Sequence, residues 1–165
     1  TYSNADSTIL SRKQLRKFKT LGFFPVDIKY SVQADFKRTP EAIPFMVMTS
    51  SGLEREYVSY GTLTFELMGQ NFRLPIYQNT TYIKEPDHKY GQSLFLPFTD
   101  YTSGVESYGA GRYIDVVISD IVDNKLFIDF NKAYNPYCAY TTGYSCPIPP
   151  EANDLKGTLI LNLRC

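Results

Sequence analysis

Three features of the sequence predict a mainly β protein, an antiparallel barrel or two-layer sandwich with a short N-terminal helix and long C-terminal loops. Tyrosine (14) and phenylalanine (11) are abundant and tryptophan is absent, and such rings favour the half-buried surface of a pleated sheet. Apolar residues alternate with period two through much of the chain, a strand pattern. Neither an internal repeat nor a βαβ alternation is present, so neighbouring strands should pair antiparallel.

Residues 1–10 read as an N-terminal extension, followed over residues 11–20 by a capped helix. Ser11 and Gln14 have the spacing of a capping box, and Leu10 and Leu15 that of a hydrophobic staple. Leu15 and Phe18 share one face, and Gly22 is a natural stop. The basic residues around that face, Arg12, Lys13, Arg16, Lys17 and Lys19, read as solvated helix surface rather than a membrane or nucleic-acid patch.

The β domain spans residues 28–165. Ile28, Tyr30, Val32, Ala34 and Phe36 alternate with polar residues, predicting a half-exposed strand. Residues 43–49, the turn cluster Ser50-Ser51-Gly52 and residues 55–60 predict a hairpin. A clearer hairpin follows, because Leu63, Phe65 and Leu67 alternate up to Gly69-Gln70 while Phe72, Leu74 and Ile76 alternate away. Glycine first in that loop suits a type II′ turn. Residues 78–92 form a long polar loop with room for a helical turn, and long loops of this kind serve as lids. Residues 94–98 predict a buried strand, and residues 99–111 a loop dense in glycine, serine and tyrosine. Strands follow at residues 112–118 and at Leu126, Ile128 and Phe130, with Asp123-Asn124 turning between them. The last strand falls at residues 158–163.

A chain of 165 residues fits one domain, whose core buries roughly two thirds of the surface of the unfolded chain. Lysine plus arginine equals aspartate plus glutamate at 17 each, so no global field draws the protein to nucleic acid. Apolar runs are too short to insert in a membrane as helices. The compartment stays open: a first residue Thr1 permits export after leader removal. A protein partner is compatible with all of this.

Chemistry-bearing residues gather in residues 106–153. Glu106 precedes Gly109-Ala110-Gly111-Arg112. Arg112 either grips an anion through its planar fork beside a proton-accepting Glu106, or forms an internal ion pair with Glu106 that anchors the loop. The glycines lack the context of a nucleotide site. In Asp129-Phe130-Asn131, alternation puts Asp129 and Asn131 on one face, where they orient a ligand or cap nearby backbone amides. Cys138 and Cys146 read first as a disulfide or packed thiols; as a bond they would stabilise by roughly 2 to 3 kcal/mol. Zinc spacing is absent and Cys165 does not supply it, so no metal or cofactor is expected. A Cys138 nucleophile ranks third, since His88 is the only imidazole. No nucleophile elbow exists to support a triad of serine, His88 and Asp87. Asn79-Thr80-Thr81 matches a glycosylation sequon.

Several strings together resemble a known family: Phe23-Phe24-Pro25-Val26-Asp27, Leu94-Phe95-Leu96-Pro97-Phe98-Thr99-Asp100, Glu106-Ser107-Tyr108-Gly109-Ala110-Gly111-Arg112-Tyr113, and Asp129-Phe130-Asn131-Lys132-Ala133-Tyr134-Asn135-Pro136 leading to Cys138 and Cys146-Pro147-Ile148-Pro149-Pro150. In this order and spacing the chain is similar to the prokaryotic proteins of domain-of-unknown-function family 1684, from about residue 11 to residue 156; residues 157–165 depart from the family's ending. The resemblance implies a stand-alone module, open to export, and no activity.

The leading expectation is a binding module for a small polar, anionic or carbohydrate-like ligand. Its site lies between residues 99–112 and 129–150: Arg112 holds the anion, Tyr108, Tyr113 and Tyr134 supply walls, and Asn131 and Asn135 supply hydrogen bonds. One alternative is a hydrolase with Glu106 or Asp129 as general base and Arg112 stabilising negative charge. Another is a structural or partner-binding subunit, marked by a large exposed apolar patch.

Overall fold

The structure is a computed structural model that describes residues 12–17, 24–85 and 88–155. Helix α1 (Arg12–Lys17) lies where the capped helix is expected; its cap Ser11, the Leu10 and Leu15 staple, Gly22 and the strand at residues 158–163 lie outside the described residues or side chains. Seven strands follow: β1 (Ser31–Arg38), β2 (Phe45–Met48), β3 (Glu54–Leu67), β4 (Gln70–Asn79), β5 (Ser93–Phe98), β6 (Arg112–Val117) and β7 (Lys125–Asp129). They pair antiparallel in the order β6-β5-β4-β3-β1-β7, with β2 on β3, and the sheet curls into a half-barrel.

The concave face holds the core. Ala34, Leu63, Leu74, Ile76, Leu94, Leu96, Phe98 and Ile128 are all buried there, which is the period-two pattern realised. The edge strand β6 is met by the segment beyond β7, where Tyr113 and Tyr134 exchange two backbone hydrogen bonds of 3.0 Å. Between β6 and β7 lies a cleft of about 470 Å³ lined by Asp115, Phe127, Asp129 and Lys132 among others.

Several local expectations change. Residues 28–30 form a 3-10 turn capped by Asp27 rather than strand, leaving Ile28 exposed. The two runs at residues 55–60 and 63–67 are one long strand, β3, bent by a bulge between Ser59 and Gly61. Leu67 pairs with Gln70, so the β3–β4 turn is Met68-Gly69, one residue earlier than expected. Both turn residues have positive φ (52° and 77°), the type I′ geometry that matches strand twist. The polar loop after β4 begins with helix α2 (Thr80–Lys84), capped by the Asn79 carboxamide. The long C-terminal loops are not seen as such: 3-10 turns at Phe130–Lys132, Tyr137–Ala139 and Glu151–Asn153 divide the segment.

No helix among the described residues is long and apolar enough to cross a membrane.

A tyrosine-walled trough as candidate functional site

Arg112 opens β6 with its side chain on the core side, where its relative exposure is 0%. Its Nη2 donates to Asp100 Oδ2 at 2.8 Å and to Thr102 Oγ1 at 2.9 Å, and its guanidinium stands 5.1 Å from the centre of the Phe98 ring. Asp100 also accepts from the Thr102 backbone N–H and hydroxyl. The arginine therefore ties residues 99–111 to the end of the barrel, and its carboxylate partner is Asp100 rather than Glu106. Gly111 makes this possible. Its φ is +86°, and a Cβ there would meet Pro149 Cγ at 2.6 Å and the Phe98 carbonyl oxygen at 2.7 Å. With no exposed surface, Arg112 meets no ligand in this conformation.

The other expected site residues are dispersed. Glu106 is exposed on its loop and lines neither of the two cavities described here. Tyr108 is half-buried and also outside them. Asp129 accepts from Ser31 Oγ at 2.9 Å, from the Asn131 N–H at 3.0 Å and from Asn131 Nδ2 at 2.9 Å. Asn131 in turn clasps the Asp27 backbone, accepting from its N–H and donating to its carbonyl. These two residues cap a turn and close the entry to β1. Asn135 is buried and donates to the Tyr140 hydroxyl at 3.3 Å.

Burial pushes the Asp129 carboxyl up, but the hydrogen bonds from Asn131 and Ser31 outweigh it and hold the group below its ordinary value of 3.8. A depressed folded pKa stabilises above the unfolded value, and that contribution is lost as pH falls through the folded one. Asp129→Ala is expected to cost about 1 kcal/mol at neutral pH, the worth of a cap. Chemical unfolding from neutral pH to below pH 3.8 checks this: the gap between variant and wild type should close at the acid end.

Tyr113 and Tyr134 lead to the larger cavity, a trough of about 730 Å³ on the convex face of the sheet. Strand alternation builds its floor, since Leu94, Leu96, Ile114 and Val116 point into the core and Phe95, Tyr113 and Asp115 point away. Tyr57 on β3 joins them, with Phe95 5.6 Å from Tyr57 and 4.7 Å from Tyr113 between ring centres. One wall is formed by Tyr82 of α2 and Tyr90, 5.6 Å apart, with His88 stacked on Tyr82 at 4.4 Å. The other is formed by Tyr134, Tyr137 and Tyr144, the last two 5.1 Å apart.

The second wall is pinned at both ends. Cys138 and Cys146 are joined in a disulfide. The Cys146 N–H donates to Ser50 Oγ at 3.1 Å, and the Ser50 N–H donates back to the Cys146 carbonyl at 2.8 Å. The Tyr113 hydroxyl donates to the Pro147 carbonyl and the Tyr134 hydroxyl to Asp115 Oδ1. Burial raises the pKa of Tyr57, Tyr113 and Tyr134, and for Tyr134 the Asp115 carboxylate adds to the rise. Tyr77, cross-strand from Phe95 and bonded to Asn153 Oδ1 at 2.7 Å, is pushed up to about 12 by burial. These phenols stay neutral near pH 7, so they offer stacking and hydrogen bonds rather than a base. Polar non-aromatic groups in the lining are few: Arg55, Asn79, Ser93, Asp115, Asp120 and Ser145. Among the described residues no cluster of His, Cys, Asp and Glu is placed to hold a metal ion.

The sequon asparagine is part of this trough. Asn79 is 7% exposed and its Oδ1 accepts from the Thr81 N–H at 2.9 Å, so its amide is built into the fold rather than presented to a glycan.

Sequence reasoning missed Arg55, Tyr57, Tyr82, Tyr90, Asp115, Tyr137 and Tyr144 as trough residues. Aromatic residues on the polar phase of strands, as in Arg55-Glu56-Tyr57 and Tyr113-Ile114-Asp115, were the available signal.

No curated protein matches the chain. A solved structure does: the solution structure of the uncharacterized protein from gene locus rrnAC0354 of Haloarcula marismortui is similar, with 29% identity, a TM-score of 0.74, and 99% of this chain and 86% of that one covered. Residues 16–159 match the family described as "Protein of unknown function (DUF1684)", and the chain belongs to that family.

Proposed function

We propose that the protein is a binding module for a polar, carbohydrate-like ligand, held in the tyrosine-walled trough. The observation that carries this reading is a cavity of about 730 Å³ whose floor and both walls carry aromatic rings, with a few polar side chains among them. Ligand sites of roughly 300–1,000 Å³ combine mostly apolar walls with a few placed polar groups. Tyrosine suits a sugar, because its ring accepts the C–H face of a pyranose while its hydroxyl or a nearby carboxylate meets the sugar hydroxyls. In this reading Tyr113 serves the ligand from the floor and Tyr134 from a wall, and Arg112 acts by holding the adjoining loop. Nothing in the geometry favours a hydrolase: Asp129 is a depressed, hydrogen-bonded cap and Glu106 lies outside both cavities.

Tyr90 and Tyr137 are 45% and 48% exposed and stand on opposite walls, so truncating them removes ligand contact with little loss of core. Calorimetric titration with neutral and acidic oligosaccharides should detect binding, weakened about tenfold or more in Tyr90→Ala and in Tyr137→Ala. Equal affinity in wild type and both variants would place the ligand elsewhere.

A further inference from the structure

Resting on the trough as the ligand site, we infer that its ligand class is a carboxylated oligosaccharide, with Arg55 as the carboxylate anchor. The argument starts from which charges in the trough are already engaged. Asp115 accepts from the Tyr134 hydroxyl at 2.9 Å, and Asp120 accepts from the Val117 N–H at 3.0 Å. The cations are not engaged in this way. Arg55 is exposed on β3 and lines the trough, yet its side chain makes no hydrogen bond or ion pair with any described residue. Lys89, next to the wall residue Tyr90 in the chain, is paired with no described carboxylate either, its ammonium resting 4.6 Å from the centre of the Tyr90 ring. The site therefore holds one guanidinium without a hydrogen-bonded partner, while each of its two carboxylates already accepts a hydrogen bond. A guanidinium offers five N–H donors in a fork that fits a carboxylate with two parallel bonds.

Spacing fixes the size. Arg55 sits on β3 and Asp115 on β6, three strand-to-strand steps of about 4.8 Å or about 14 Å across the strands, and Arg55 is further displaced along β3 from Ser59, the residue in register with Asp115. Tyr57, Phe95 and Tyr113 occupy that interval as a continuous row of rings. A ligand that reaches Arg55 with its carboxylate and Asp115 with a hydroxyl must span more than one sugar ring. An extended peptide would seek a free strand edge, and within the floor β3, β4 and β5 are paired on both sides, while the β6 edge is already paired at Tyr113 with Tyr134. Recognition falls to side-chain faces, which suits stacked rings.

The test compares oligosaccharides of hexuronic acid, two to four units long, with the same chains after reduction of each carboxyl to a primary alcohol. Wild-type protein should bind the acidic chains about tenfold or more tightly than their reduced counterparts, as expected for a charge-assisted pair. In Arg55→Ala the ratio of the two affinities should fall to about one, and in Arg55→Lys it should lie between, because lysine keeps the charge without the fork. Thermal melting of both variants at the wild-type temperature shows that the fold is intact, since the Arg55 side chain carries no internal bond. Equal affinity of wild type for acidic and reduced chains, or an acidic preference that survives in Arg55→Ala, overturns the inference while leaving the trough a saccharide site. Binding of neither series overturns the inference together with the saccharide reading.

Discussion

Replacing Arg112 with methionine is expected to cost about 3 to 5 kcal/mol, the range for breaking a buried ion pair by removing one partner. Methionine fills much of the space but leaves Asp100 buried, with a relative side-chain exposure of 0% and no cation. The Thr102 and Ser103 hydroxyls still donate to the carboxylate, but they do not neutralise it. A loss of that size is a large share of the total stability of a domain, about 5 to 15 kcal/mol. In a chain of this length it lowers the melting temperature on the order of 10 °C. Removing the charge on both sides, as in Arg112→Met with Asp100→Leu, should recover much of the loss, because the unpaired buried charge is then gone. Urea unfolding of the three proteins checks this. A single variant within about 1 kcal/mol of wild type would mean that the arginine is not the anchor of residues 99–111.

Opening the Cys138–Cys146 disulfide is the second large effect. The bond closes a loop with a sequence separation of 8, and the chain-entropy estimate for such a loop is roughly 2 to 3 kcal/mol. The consequence for the trough is more specific than the loss of stability. Tyr137 and Tyr144 lie just outside and just inside the bridge, so the wall they form depends on it. Beyond the bridge the chain stays pinned, because Cys146 and Ser50 exchange hydrogen bonds and the Ile148 N–H donates to the Met48 carbonyl at 2.9 Å. The pair Cys138→Ser and Cys146→Ser should therefore speed amide exchange at residues 139–145 and leave Ile148 protected. Affinity at the trough should fall with the loosened wall. Uniformly faster exchange across the sheet, with unchanged behaviour of residues 139–145 relative to it, would mean that the bridge only stabilises globally.

Much of the scaffold was legible because its signals are local. Period-two alternation in residues 31–38, 63–67 and 72–76 survives as buried and exposed faces of β1, β3 and β4. Asp123-Asn124 does turn the chain, with φ of 50° and 58°, but the strands on either side pair with β5 and β1 rather than with each other. The type of the Met68-Gly69 turn was misread because pairing register, not the position of glycine alone, fixes which residues lie in the loop.

The candidate site was less legible because the residue types that carry chemistry also carry structure. Arg112 and Asp129 look alike on paper, a charged group beside glycine or asparagine. One is wholly buried against Asp100, and the other caps a turn beside Ser31. Neither partnership can be seen from spacing, since Asp129 and Ser31 are joined across the β1–β7 pairing. The trough itself draws on β3, β5, β6, α2 and the disulfide-bridged segment. Its tyrosines become neighbours only when the sheet is assembled.

The most direct test of the trough as the ligand site is a titration of 15N-labelled protein with the hexuronic-acid oligosaccharides and their carboxyl-reduced counterparts, followed by backbone amide shifts. The account predicts that the largest changes fall at Arg55, Tyr82, Tyr90, Phe95, Tyr113, Tyr137 and Tyr144, with little at Glu106 and Arg112. Changes confined to residues 99–112, or no changes with either series, would contradict it.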